Sequence, residues 1–91
     1  MEGKVVLVQG ASSGLGKELA MLYGKRGCRM VLTGRNKERL EQTAKEIQIV
    51  YRNSDVVFKV ADGRDEKQAS EVVDFAIKTF GRLDILVLSA G

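Results

Sequence analysis

The segment Gly10-Ala11-Ser12-Ser13-Gly14-Leu15-Gly16 stands directly between the apolar run Val5-Val6-Leu7-Val8 and a stretch of helical periodicity. No other feature restricts the chain as much. A short, continuous, β-branched-rich run that ends in glycine and serine suits a strand buried on both faces, so helices are needed on both sides of its sheet. Each glycine then has a mechanical task. Gly10 permits a tight turn out of the strand, Gly14 lets the backbone approach a pyrophosphate, and Gly16 lets the helix pack closely on the sheet. At the helix start, free N–H groups and the positive end of the helix dipole favour an anion without any charged side chain, and Ser12 and Ser13 add hydroxyl donors. The spacing is not that of a P-loop, because Leu15-Gly16-Lys17-Glu18 lacks the Gly-Lys-Ser/Thr ending.

The same strand-then-helix pattern repeats downstream. Leu15, Leu19, Leu22 and Tyr23 recur at helical spacing, Lys25 and Arg26 complement the C-terminal dipole, and Gly27 is placed for a C-cap. Residues 29–33 predict a second strand, and Asn36 caps a second helix with Leu40, Thr43, Ala44 and Ile47 on its buried stripe. Residues 56–60 predict a third strand. A third helix carries Ala69, Val72, Val73, Ala76, Ile77 and Phe80 on one face and closes at Gly81, and residues 85–88 predict a fourth strand. The order βαβαβαβ, with connections too long for hairpins, predicts an α/β fold: a Rossmann-type, doubly wound parallel sheet truncated to four strands in the order 3-2-1-4. A ligand in such a sheet sits where the strand order reverses, beyond the C-terminal ends of the first and fourth strands. Those ends are residues 10–16 and 88–91.

Several function classes drop out on composition. With 91 residues the chain is one domain, residues 1–91, and its single cysteine and lack of histidine exclude an internal disulfide, the usual zinc sites and a Ser/His/Asp triad. The net charge of +3 suggests nucleic acid at first. However, the bases alternate with acids, as in Lys37-Glu38-Arg39, and no aromatic residue lies among them to stack on bases, so no nucleic-acid partner is expected. No uncharged run approaches the roughly 20 apolar residues that span a bilayer, and Met1-Glu2-Gly3-Lys4 does not open a signal peptide. The expectation is an intracellular, cytoplasmic protein without a membrane anchor.

Across its whole length the sequence resembles the short-chain dehydrogenase/reductase family. The family's opening Thr-Gly-x-x-x-Gly-x-Gly is matched by Gln9-Gly10-Ala11-Ser12-Ser13-Gly14-Leu15-Gly16, with glutamine in place of threonine. The family's acidic residue after the third strand, which holds the adenine ring, is matched by Asp62. Its Asn-Asn-Ala-Gly segment is represented by Leu88-Ser89-Ala90-Gly91, without either asparagine. The resemblance implies a dinucleotide cofactor. An NAD site places an acid at the end of the second strand to bond the ribose hydroxyls. Gly34 occupies that position here, with Arg35 next and Arg39 one helical turn on, and a guanidinium grips a 2′-phosphate bidentately. NADP is therefore expected in preference to NAD. The expected cofactor contacts are Gly10, Ser12, Ser13, Gly14, Leu15 and Gly16 in the loop, Arg35 and Arg39, Asp62, and Leu88, Ser89, Ala90 and Gly91.

Catalysis in the family rests on a serine and a Tyr-x-x-x-Lys pair. Tyr23 is followed four residues on by Gly27 and Tyr51 by Asp55, so no catalytic residue is expected here, and no metal ligand. The chain reads as the N-terminal, cofactor-binding part of an oxidoreductase whose downstream half supplies the chemistry. Two other readings stand beside it: a short nucleotide-binding product without catalysis, and an interaction module that pairs through an open strand edge. The fourth strand is nearly all hydrophobic, and an uncovered edge there predicts self-association.

Overall fold

The computed structural model describes residues 2–12 and 14–89. Seven elements follow one another: β1 (Val5–Gln9), α1 (Gly14–Lys25), β2 (Arg29–Gly34), α2 (Lys37–Val50), β3 (Val56–Val60), α3 (Glu66–Phe80) and β4 (Ile85–Leu88). The strands form one parallel sheet in the order β3-β2-β1-β4, as the alternation of elements predicts. Val8 is registered with Leu32 on one side and Val87 on the other.

Helices cover both faces, and alternate residues of each strand divide between two cores. Val6, Val8, Met30 and Leu32 pack under α1 and α2 with Leu40, Ala44 and Ile47; Leu7 and Val31 face α3 with Ala61, Val72 and Ala76. The central strand is accordingly apolar without alternation, and Val5 to Val8 are at most 2% exposed.

The helix ends obey local chemistry. Asn36 caps α2 by accepting the N–H of Arg39, and Asp65 caps α3 by accepting those of Lys67 and Gln68. Gly27, at φ +79°, ends α1: its N–H donates to the Gly24 carbonyl and that of Cys28 to the Tyr23 carbonyl, a Schellman closure.

The face of α1 that meets the sheet differs from the leucine stripe. Leu15 and Leu22 are 63% and 46% exposed, whereas Gly16, Ala20 and Gly24 are buried. The cause is a close approach: a Cβ on Gly24 would stand 2.5 Å from Cγ2 of Ile47 in α2, so only a ladder of small residues fits. Similarly, Ile77 in α3 is 46% exposed although it lies beside the buried Val72 and Ala76.

A buried amide ties these layers together. The Asn53 side chain donates to the carbonyls of Gly24 at 3.2 Å and Cys28 at 2.8 Å, and accepts the Asp55 N–H at 3.0 Å. Among the described residues, no helix is long and apolar enough to cross a membrane.

Candidate functional site

The C-terminal ends of the four strands open on a cleft of about 270 Å³. Parallel strands place their C-termini on one edge, so residues from four separate loops converge there. Of the expected positions, the cleft brings together Gly10, Arg35, Asp62 and Ser89, and it adds Gln9, Gly34, Gly63 and Arg64.

The floor is built from backbone. The N–H groups of Gly10 and Ala11 both donate to the Thr33 carbonyl, at 2.8 and 3.0 Å, which turns the chain sharply out of β1. Gly10 holds φ +81°, and a Cβ there would stand 2.6 Å from the Ser89 carbonyl oxygen. Gly14 opens α1 at φ +60° with nothing within 4 Å of where a Cβ would be, and the first turn of α1 carries no acidic residue. An anion can therefore reach the free N–H groups of the helix start.

The second wall comes from the end of β2. Gly34 is buried, and a Cβ on it would lie 3.2 Å from Ser12 Oγ. Arg35, exposed, then lines the cleft. Gly34 and Arg35 bring no carboxylate to this wall, and the cation they bring is a guanidinium.

Asp62 forms the third wall, and it is restrained from several directions. Its Oδ1 accepts the Arg64 backbone N–H at 3.0 Å and Arg64 Nε at 3.2 Å, and its Oδ2 accepts Arg64 Nη2 at 3.2 Å. Its own N–H donates to Gln68 Oε1 at 2.8 Å, and its carbonyl accepts the Asp65 N–H. The guanidinium and backbone N–H of Arg64 hold the Asp62 carboxyl below the usual aspartate range, against a small opposing effect of desolvation, and the charge of Arg35 adds to the lowering. Arg64 escaped the sequence reading, although Asp-x-Arg directly after a strand is the spacing at which an aspartate side chain bonds the N–H two residues on.

Gln9 escaped it too. Its side chain occupies the space above Gly63, where a Cβ would fall 1.1 Å from Gln9 Nε2. Gln9 lines both the cleft and an apolar cavity of about 330 Å³ between the sheet and α3.

Other expected contacts lie elsewhere. Ser12, Gly14 and Arg39 line a neighbouring depression of about 250 Å³ with Lys17 and Gln42, so Arg39 does not join Arg35 in the cleft. The reason is local: Asn36 caps α2 through the Arg39 N–H, which places Arg39 inside the first helical turn while Arg35 stays outside it. Leu88 borders the apolar cavity rather than the cleft, because it shares the α3 face of the sheet with Leu86 and Leu7. Leu15 is exposed at the start of α1, and Gly16 is buried against the Gly10 carbonyl. Ser13, Ala90 and Gly91 lie outside the described residues. Tyr23 and Tyr51 pack half-buried against the core beneath α1 and α2 and do not line the cleft.

Chemically, the depression at Gly14 can receive an anion at the N–H groups of the helix start, and the adjoining cleft can receive a second anion at Arg35 and a hydrogen-bond donor at Asp62. An adenosine bearing phosphates has these three features, and the missing side chain at Gly14 leaves the cradle a phosphate needs.

Residues 4–91 match the family described as short chain dehydrogenase. The chain is 47% identical over 89 residues to 11-beta-hydroxysteroid dehydrogenase 1A of Arabidopsis thaliana, covering 98% of this chain and 25% of that one. L-Sorbose reductase of Gluconobacter frateurii, solved with NADPH and L-sorbose, superposes with a TM-score of 0.93 at 32% identity over 100% of this chain and 34% of that one. The 3-ketoacyl-(acyl-carrier-protein) reductase of Brucella melitensis, solved with NADH, superposes with a TM-score of 0.83 at 35% identity over 93% of this chain and 33% of that one. The chain thus spans between 25% and 38% of the length of the curated relatives it matches.

Proposed function

Because this chain belongs to the short-chain dehydrogenase family, we propose that it is the NADP(H)-binding part of an oxidoreductase that interconverts carbonyl and alcohol groups. In this reading residues 1–91 form the N-terminal part of the cofactor domain, and a further part of a longer parent supplies the proton-transferring groups and the substrate pocket. The observation that carries the reading is the wall made by Gly34 and Arg35, where a cationic side chain lines the cleft and no acid is present.

The chain's own residues divide the work of binding. The backbone at Gly10, Gly14 and the start of α1 receives the pyrophosphate, with Ser12 and Ser13 as hydroxyl donors, and Gly16 keeps the helix close enough to present its N–H groups. Arg35 pairs with the 2′-phosphate, Arg39 adds positive potential from the adjoining depression, and Asp62 accepts from the adenine amino group. Ser89 borders the nicotinamide end, while Leu15 shields the phosphates from the solvent side. When bound, the nicotinamide supplies or accepts the hydride. The parent works inside the cell, in the cytoplasm, as a protein without a membrane anchor in this segment.

A charge-assisted hydrogen bond contributes roughly 1.5 to 3 kcal/mol, so Arg35 favours NADP over NAD by about one to two orders of magnitude. A thermal-shift titration of the chain with NADPH, NADP and NAD, beside an Arg35→Ala variant, tests this, since a ligand that binds only the folded state raises the melting point. The expected result is stabilisation by NADPH, less by NAD, with the difference lost in the variant. No shift with any nucleotide would overturn the reading.

A second reading, in which the chain pairs through β4 with another chain, draws on one observation. Leu86 and Leu88 in that strand are 51% and 68% exposed.

A further inference from the structure

We propose that Arg64 is a positioning residue at the adenine end of the cleft, fixing the Asp62 carboxylate so that one acceptor position on Oδ2 remains to read a purine amino group. The inference rests on the cofactor reading above and adds to it a residue that sets base specificity.

The argument is a count of lone pairs. An ionised carboxylate offers about four acceptor positions, two on each oxygen, and no donor. Oδ1 of Asp62 already takes two donors from Arg64, its backbone N–H at 3.0 Å and Nε at 3.2 Å, and is therefore filled. Among the described residues Oδ2 takes one, Nη2 at 3.2 Å, and keeps one position open. The backbone of Asp62 is fixed independently, by the bond of its N–H to Gln68 Oε1 at 2.8 Å and by the turn in which Asp65 N–H reaches its carbonyl at 3.0 Å. Side-chain rotation is the remaining freedom, and the guanidinium fork restrains it.

The charged groups around this carboxylate act in one direction. Arg64 from its own loop and Arg35 from the β2–α2 turn both favour the ionised, acceptor-only form. Asp65, the acid at the start of α3, is held back by its bonds to Lys67 N–H and Gln68 N–H and by Gln68 Nε2 at 3.4 Å. An acceptor-only group accepts the amino group of adenine and repels the carbonyl oxygen that hypoxanthine presents at the same place. Arg64 thus converts a surface aspartate into a base-reading group. Its side chain is 75% exposed and contributes nothing to either core, so removing it leaves the fold intact.

The test compares two dinucleotides that differ at that edge of the base, NADPH and its hypoxanthine analogue, which has a carbonyl in place of the amino group and a proton on N1, by titration calorimetry on the 91-residue chain, Arg64→Ala and Arg64→Lys. In parallel, the Asp62 carboxyl is titrated by NMR without nucleotide. The expected result is that the preference for NADPH over the analogue falls roughly tenfold in Arg64→Ala and by less in Arg64→Lys, which keeps the charge but loses the fork. The Asp62 titration midpoint moves up in both. If Arg64→Ala leaves the ratio of the two affinities unchanged while the unaltered chain binds NADPH, the cofactor reading stands and the role of Arg64 is overturned. If the unaltered chain binds neither dinucleotide, the cofactor reading fails and the base-reading role falls with it.

Discussion

A Cβ on Gly16 would stand 2.0 Å from the carbonyl oxygen of Gly10. The obstacle is backbone, so no side-chain rotation relieves it, and the start of α1 must move away from the end of β1 if any other residue stands at position 16. Gly16→Ala therefore shifts the helix whose first N–H groups face the proposed phosphate position. The expected loss is about 1 to 3 kcal/mol of stability or more, the range for overpacking a close contact. Denaturant unfolding of Gly16→Ala beside Gly14→Ala separates sterics from backbone conformation, because Gly14 has open space around it but φ +60°. Gly14→Ala is expected to cost less, about 1 kcal/mol, from the left-handed backbone alone. Equal stability of Gly16→Ala and the unaltered chain would contradict the close approach.

Asn53 joins the loop after α2 to the end of α1 through two buried carbonyls, those of Gly24 and Cys28. Removing the amide takes one donor from each carbonyl, of which that of Gly24 keeps the Gly27 N–H, and the loss of a hydrogen bond costs about 0.5 to 1.5 kcal/mol. Asn53→Ala should therefore lower the denaturation midpoint by an amount in that range, and Asn53→Asp by at least as much, since a carboxylate has no donor for the carbonyls. A neutral Asn53→Ala would show that water replaces the amide at no cost.

How much of this was legible in the sequence depends on what decides each feature. The strand of Val5 to Val8 and the stripe of Leu40, Thr43, Ala44 and Ile47 are fixed by burial of apolar surface, which periodicity reports, and all of these residues are buried. The sheet order follows from parallel connectivity in the same way. The buried face of α1 is decided instead by close approach, of the Gly10 carbonyl at Gly16 and of the Ile47 side chain at Gly24. Hydrophobicity then points to Leu15 and Leu22, whereas contact selects Gly16, Ala20 and Gly24. At the site, the glycines, Arg35 and Asp62 stand out in the sequence because backbone requirements and charge mark them, and Gly10, Arg35 and Asp62 line the cleft. Arg39 and Leu88 line neighbouring cavities, a division the sequence does not report because it depends on side-chain direction at an element's end, one residue either side of a cap or a pleat. Arg64 was missed because an exposed arginine carries no periodic signal and its importance lies in its partner.

Asp84 closes the start of the central strand pair. Its carboxylate accepts the Val5 N–H at 2.8 Å, while its own N–H donates to the Val5 carbonyl at 2.9 Å. The Arg82 guanidinium, then the Val5 N–H, hold its carboxyl below the ordinary aspartate value of 3.8. A carboxyl whose folded pKa lies below its unfolded one stabilises the fold fully above the unfolded value, and that contribution is lost as pH falls through the folded value. Stability should thus decline on acidification below about pH 3.8, with Asp62 acting in the same sense. In urea titrations across pH, Asp84→Asn should be less stable than the unaltered chain at pH 7, with the gap closing below pH 3.8. A gap independent of pH would assign the effect to geometry and not to charge.

β4 pairs with β1 on one side, and among the described residues no strand pairs with its other side. Leu86 and Leu88 leave half or more of their surface exposed, so the strand combines an unpaired row of backbone groups with an apolar face. Such an edge is a template for pairing with a second chain, and natural sheets usually blunt it with charge or cover. The 91-residue chain is therefore expected to associate with itself as concentration rises. Leu88→Lys should suppress this, because a lysine at the edge must lose hydration before a second strand can dock, while the core residues of β1 and β2 are untouched. Sedimentation velocity over a hundredfold concentration range decides the matter. A concentration-dependent rise in mass that Leu88→Lys abolishes assigns the association to this edge; a rise that the substitution leaves unchanged places the contact elsewhere; and a monomer throughout shows that the exposed leucines of β4 are tolerated in water.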